Sequence, residues 1–260
     1  MQTGRTNDPL RVIAASPKTP VMSALRFSNP IFVALDTPDL AQAQAIAKAV
    51  GPYVGGLKVG LEFISAQGPQ GVAKIIELGR PVFVDVKFHD IPNTVAGAAR
   101  ALARLGAAIF NVHTSGGEDM MRAAVDAAHS VDPKVRVLGV TVLTSLDQSV
   151  LDSVGQKGPP QAQVERLAKL AKASGLHGVV CSAQETALVR KATAKDFLIA
   201  TPGIRPVGAD LADQRRIVTP REAMAAGSDL IIIGRPIAAA ADPAAAARAI
   251  AEDLHLATAG

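Results

Sequence analysis

The chain has no tryptophan, one tyrosine and one cysteine in its 260 residues. Without aromatic platforms there is little on which single-stranded nucleic acid could stack. A lone cysteine excludes an intrachain disulfide and a cysteine-based metal cage. Cys181 lies in the apolar run GVVC and reads as a small buried hydrophobe. No apolar run reaches the roughly 18 residues that cross a bilayer. Histidines and carboxylates form no cluster with metal-ligand spacing, so no metal is expected. The net charge of +4 comes from basic residues that are scattered and not gathered in runs. That pattern suits weak attraction of a small anion, not a nucleic-acid stripe.

What is present is a globular composition, with 48% apolar and 19% charged residues, enough for one sizeable core. Residues 1–28 carry Arg5, Arg11, Lys18 and Arg26 against Asp8 and have no apolar centre for a secretory signal. They read as a poorly ordered extension, with Met22 as an alternative start, and residues 29–260 read as the folded domain. Apolar strand-like runs recur at 31–35, 56–59, 82–86, 108–112, 135–142, 178–181, 197–200 and 230–233. Helical patterns separate them: from a Thr37 N-cap to about 50, then 69–78, 94–105, up to 129, 161–173, 184–191 and 220–226, with a last helix opened by Gly234-Arg235-Pro236. A polar segment at 146–160 follows the fifth strand. Strands alternating with helices imply a parallel sheet, and near-continuous apolar strands imply burial on both faces. Eight such units predict an α/β fold of one domain, a closed (β/α)8 barrel. An open doubly wound sheet is the alternative, but no G-x-G-x-x-G follows the first strand.

The chain is organised around residues 81–95, PVFVDVKFHDIPNTV. An apolar strand is interrupted by Asp85 and Lys87. Residues two apart share a strand face, so both are expected to point the same way from its C-terminal end. Asp90 follows where Ile91-Pro92 ends regular pairing. Charges at a buried strand tip are expensive and usually have a use. Asp36, Lys58, Thr144 and Arg235 also lie at or just after strand ends, which is where barrels of this kind keep their chemistry. His113 could act as a general base, although a lone histidine after a strand is more often packed and hydrogen-bonded.

Two loops look built for an anion. The seventh, TPGIRPVGADLADQRR, offers glycine backbone and the Arg205 guanidinium; Arg215 and Arg216 read as solvated. The eighth, IIIGRP, sets Gly234 and Arg235 where a helix is expected to begin, a ready place for phosphate.

With these residues in view, the chain resembles the orotidine 5′-phosphate decarboxylase family from about residue 31 to the final helix. The most specific element is DVKFHDIPNTV, an extended Asp-x-Lys-x-x-Asp signature; FVALD, GLKVG, VTVLTS, TPGIRP with DQRR, and IIIGRP occur around it in order. The resemblance implies decarboxylation of orotidine 5′-monophosphate to uridine 5′-monophosphate, the last step of de novo pyrimidine synthesis, in the cytoplasm. It implies a homodimer with shared active sites, and neither cofactor nor metal. By position, Asp36 and Lys58 would hold the ribose hydroxyls. Asp85 would lie against the departing carboxylate, and Lys87 would protonate carbon 6. Asp90 and Thr94 would reach into the partner subunit's site, with Ile91 also binding substrate. Thr144 and Ser145 would meet the pyrimidine, and Gln214, Gly234 and Arg235 the phosphate, with Arg205 close by. The nearest alternative is a Mg²⁺-dependent sugar-phosphate decarboxylase or hexulose-phosphate synthase. Those resemble this chain at the same signature but carry a carboxylate where Lys58 stands. A non-catalytic nucleotide-binding barrel would need the phosphate grip but not Lys58, Asp85, Lys87 and Asp90 together.

Overall fold

A computed structural model describes residues 27–156, 158–206 and 218–256. The expectations for the extension, except at residues 27 and 28, and for Gln214, Arg215 and Arg216 lie outside the described residues.

Eight short parallel strands close on themselves in sequence order. They are β1 (Ile31–Ala34), β2 (Gly56–Val59), β3 (Val82–Phe88), β4 (Ile109–His113), β5 (Arg136–Val140), β6 (Gly178–Val180), β7 (Leu198–Thr201) and β8 (Leu230–Ile233). The ring is sealed where Ile31, Phe32 and Val33 pair with Ile231, Ile232 and Ile233. All eight predicted strands are found, and the closed ring excludes the open doubly wound sheet.

The helices are α1 (Leu40–Val50), α2 (Leu61–Ile76), α3 (Pro92–Leu105), α4 (Glu118–His129), α5 (Gln148–Ser153), α6 (Pro160–Ala173), α7 (Thr186–Ala192), α8 (Pro220–Ala225), α9 (Arg235–Ala238) and α10 (Pro243–Asp253). Several differ from the sequence expectation. The N-cap of α1 is Asp39, whose carboxylate accepts the Gln42 N–H at 2.8 Å, because the Thr37 hydroxyl is engaged with Gln42 Oε1. Helix α2 starts eight residues earlier than expected and kinks at Gly68, whose φ of 62° only glycine adopts readily. The polar segment at 146–160 contains α5, capped by Asp147. The eighth unit ends in two helices, α9 being a single turn.

Two apolar layers hold the barrel. The larger lies between strands and helices and includes Phe63, Phe110, Met120 and Met121. The smaller fills the interior with Phe32, Phe83, Ile109, Leu138, Leu198 and Ile232. Space inside is tight: a Cβ at Gly56 would lie 2.3 Å from the Phe32 ring. This packed interior is a floor beneath the C-terminal strand ends, where the charged residues gather.

Candidate active site

Lys58 follows Gly56 by two residues on β2, Asp85 follows Phe83 on β3, and Asn111 follows Ile109 on β4. Strand alternation thus lifts each one layer above the packed interior. Their side chains meet there. Asp85 Oδ1 lies 2.7 Å from Lys87 Nζ and accepts a hydrogen bond from Asn111 Nδ2 at 2.8 Å. Asp85 Oδ2 faces Lys58 Nζ at 3.5 Å, and that ammonium also donates to Asp36 Oδ1 at 3.1 Å. Charges therefore alternate in a row: Asp36, Lys58, Asp85, Lys87. The middle of the row is its buried part: the Asp36 side chain is 55% exposed and that of Lys87 29%, but those of Lys58 and Asp85 only 9% and 15%.

Lys87 reaches Asp85 by a different route from the one expected. Simple alternation does not hold there, because β3 bulges. Val84 pairs with Phe110 and Phe88 with Val112, so four steps on β3 match two on β4. Lys87 takes φ 51°, a left-handed conformation costing a non-glycine residue about 1–2 kcal/mol. Its N–H donates to Asn111 Oδ1 at 2.7 Å in place of a ladder carbonyl. Sequence reasoning did not single out Asn111. Its signal was a polar residue in the apolar run IFNV, in step with the inward Ile109.

Burial works to raise the pKa of Asp85. Lys58 and Lys87, with hydrogen bonds from Lys87 and Asn111, outweigh it and hold the carboxyl below its ordinary value. His113 is pushed below its ordinary value by burial first, then by His89 and Lys87, with Asp85 partly opposing. Its ring lies beside that of His89, centroids 5.5 Å apart. Burial first, then Glu185, pushes the Cys181 thiol up to about 12. It therefore stays protonated and behaves as the small hydrophobe expected.

The charged row opens onto a cavity of about 200 Å³. Lys58, Asp85 and Lys87 form one wall, and Val140, Val142, Val180, Cys181 and Ile232 form much of the remainder. Thr144 lies on its lining; Ser145, beside it in sequence, is exposed. Beyond Asp36 the site turns cationic. A Cβ on Gly234 would sit 3.4 Å from Asp36 Oδ2, so the β8 loop abuts that end of the row. Arg205 is buried, with 5% of its surface exposed, and its guanidinium lies within the field of Arg235. The helix expected at Gly234 is the single turn α9, too short for its dipole alone to hold an anion.

The structure does not bring Asp90, Ile91 or Thr94 into this cavity. All three are exposed on the rim, Ile91 to 67%. Asp90 Oδ1 accepts only the neighbouring Ile91 N–H, at 2.6 Å, among its described contacts. Asp90 and Ile91 line a separate open hollow with His89, Pro92, Ser115 and Gly116. Among the described residues, no three His, Cys, Asp or Glu side chains converge as metal ligands.

Residues 29–250 match a family model described as the orotidine 5′-phosphate decarboxylase / HUMPS family. Among similar proteins, an orotidine 5′-phosphate decarboxylase of Anaeromyxobacter dehalogenans is 56% identical over 87% of this chain and 99% of its own length. One from Moorella thermoacetica is 49% identical over 90% of this chain and 96% of its own. A crystal structure of orotidine 5′-phosphate decarboxylase from Lactobacillus acidophilus superposes with a TM-score of 0.78 at 38% identity, covering 86% of this chain and 98% of that one. By motif, fold and identity over nearly its whole described length, the chain belongs to the orotidine 5′-phosphate decarboxylase / HUMPS family.

Proposed function

We propose that this enzyme decarboxylates orotidine 5′-monophosphate to uridine 5′-monophosphate and carbon dioxide, closing de novo pyrimidine synthesis. The observation that carries this reading is the Asp85 carboxylate held between two lysine ammonium groups on the wall of a largely apolar cavity. In the reaction the bond from carbon 6 to the carboxylate breaks, and its electron pair stays on carbon 6. A localised carbanion of this kind needs a fixed positive field in a water-poor site. Lys87 Nζ supplies that field and then a proton to carbon 6; the lysine is reprotonated from solvent. Asp85 orients both lysines and lies where the substrate carboxylate departs. Asp36 and Lys58 hold the ribose, and Thr144 with Ser145 meets the pyrimidine. Gly234, Arg235 and Gln214 bind the phosphate at the cationic end, with Arg205 beside them.

The catalytic domain is assigned to residues 29–260, and the working form to a cytoplasmic homodimer. Asp90, Ile91 and Thr94 stand outside their own cavity on the rim, as residues lent to a partner subunit would. No cofactor or metal is assigned. The Mg²⁺-dependent alternative is disfavoured because Lys58 stands against Asp85, where its ammonium would repel a divalent cation. No described helix is long and apolar enough to cross a membrane.

The test is to add orotidine 5′-monophosphate to the purified protein and follow the loss of its ultraviolet absorbance, with and without exhaustive chelation. The expected result is turnover that chelation leaves unchanged. Activity lost to EDTA and restored by Mg²⁺ favours the sister enzymes; nucleotide binding without turnover favours a non-catalytic barrel.

A further inference from the structure

Asn111 has no exposed surface, is not part of the cavity lining, and spends its hydrogen bonds on the two residues that carry the proposed chemistry. Its Oδ1 accepts the Lys87 N–H at 2.7 Å and its Nδ2 donates to Asp85 Oδ1 at 2.8 Å. The amide cannot be reversed. A flipped Asn111 would set its NH₂ against an N–H and its oxygen against a carboxylate. The bulge in β3 removes the regular ladder at Lys87, and the Asn111 carbonyl supplies the missing acceptor. The same side chain fixes the rotation of Asp85, leaving Oδ2 to face Lys58.

We infer that Asn111 is a positioning residue: one buried amide on β4 locks the backbone of Lys87 and the carboxylate of Asp85 into a single reactive geometry. It acts through those two residues and touches no substrate. The inference rests on the decarboxylase reading. Among the described residues, Asp85 is the carboxylate that a carboxylate at position 111 would oppose; Lys58 and Lys87, both paired with Asp85, and His113, which feels the charges of Asp85 and Lys87, are the titratable groups around it.

The test compares the wild type with Asn111→Ala and with the isosteric Asn111→Asp. Turnover of orotidine 5′-monophosphate, affinity for uridine 5′-monophosphate and the pH profile are read together. Both variants should lose about 100-fold in kcat, the scale of an ångström of misplacement. Product affinity should stay within about threefold, because Asn111 lies outside the cavity lining. Asn111→Asp should also regain activity relative to the wild type as pH falls. A protonated carboxyl can again donate to Asp85 and accept from Lys87, and the surrounding groups, common to both proteins, cancel in the ratio. Asn111→Ala should show no such recovery.

The role is overturned if both variants turn over like an active wild type, which leaves the decarboxylase reading standing. It is also overturned if product affinity falls as far as kcat, or if the Asn111→Asp ratio is independent of pH. A wild type inert toward orotidine 5′-monophosphate overturns the inference and the reading together.

Discussion

At the scale of single residues, the proposed mechanism rests on fixed charge placed where charge would develop. Asp85 is both partner and spacer: its two oxygens face two different lysines, and its depressed pKa keeps it ionised through neutral pH. On the proposed mechanism, Lys87→Ala removes the cation and the proton together. Its kcat should fall by at least roughly 10²–10⁴-fold, the usual share of a general acid. A steady-state assay retaining more than about a tenth of the wild-type rate would assign the proton to another group. At the far end, Arg235→Ala should weaken binding of uridine 5′-monophosphate by about 1.5–3 kcal/mol, the worth of a charged hydrogen bond, measured by calorimetry. The same substitution should leave uridine binding almost unchanged. An equal loss on both ligands would move Arg235 away from the phosphate.

At the scale of elements, the sequence was most legible where physics is local. Each strand is an apolar run between turn signals, so all eight could be read, and Asp36, Lys58, Asp85 and Lys87 could be placed at their tips. The bulge in β3 was not legible. It depends on Asn111, which is 24 residues away in sequence and invisible to any local pattern. The first turns of α2 were hidden by the Gly68 kink, and α5 by its six-residue length among glycines and prolines. A second long-range device joins β5 to β6. The Val137 N–H donates to His177 Nδ1 at 3.0 Å, so His177 is neutral and carries its proton on Nε2. Burial first, then His129 and Arg136, lower its pKa to about 4, against a smaller opposing contribution from the Val137 backbone. The unfolded chain, with His177 near 6.5, binds more protons between the two values. Stability from His177 is therefore full above pH 6.5 and is lost as pH falls toward 4, by about 3 kcal/mol in all. Asp85 adds to this only below its ordinary 3.8. Denaturant midpoints should fall between pH 7 and 4.5, and nuclear magnetic resonance should show the His177 ring titrating near 4. A midpoint near 6.5 would mean that the ring is solvated and the β5–β6 bond is not formed.

At the scale of the whole molecule, a barrel closed on a packed interior leaves one rim for function, and this rim divides its residues between two places. Lys58, Asp85 and Lys87 wall the cavity of their own chain, while Asp90, Ile91 and Thr94 stand outside it. A two-fold homodimer would make that division useful, each chain lending Asp90 to the other. The most direct measurement of such a site uses Lys87→Ala and Asp90→Ala, each nearly inactive alone, unfolded and refolded together. In a mixed dimer one site carries both defects, and the other combines an intact Lys87 with the partner's intact Asp90. Random pairing makes half the dimers mixed, each with one good site of two, so activity should return to roughly a quarter of wild type. If mixed dimers form and no activity returns, Asp90 serves its own barrel and the shared site is contradicted.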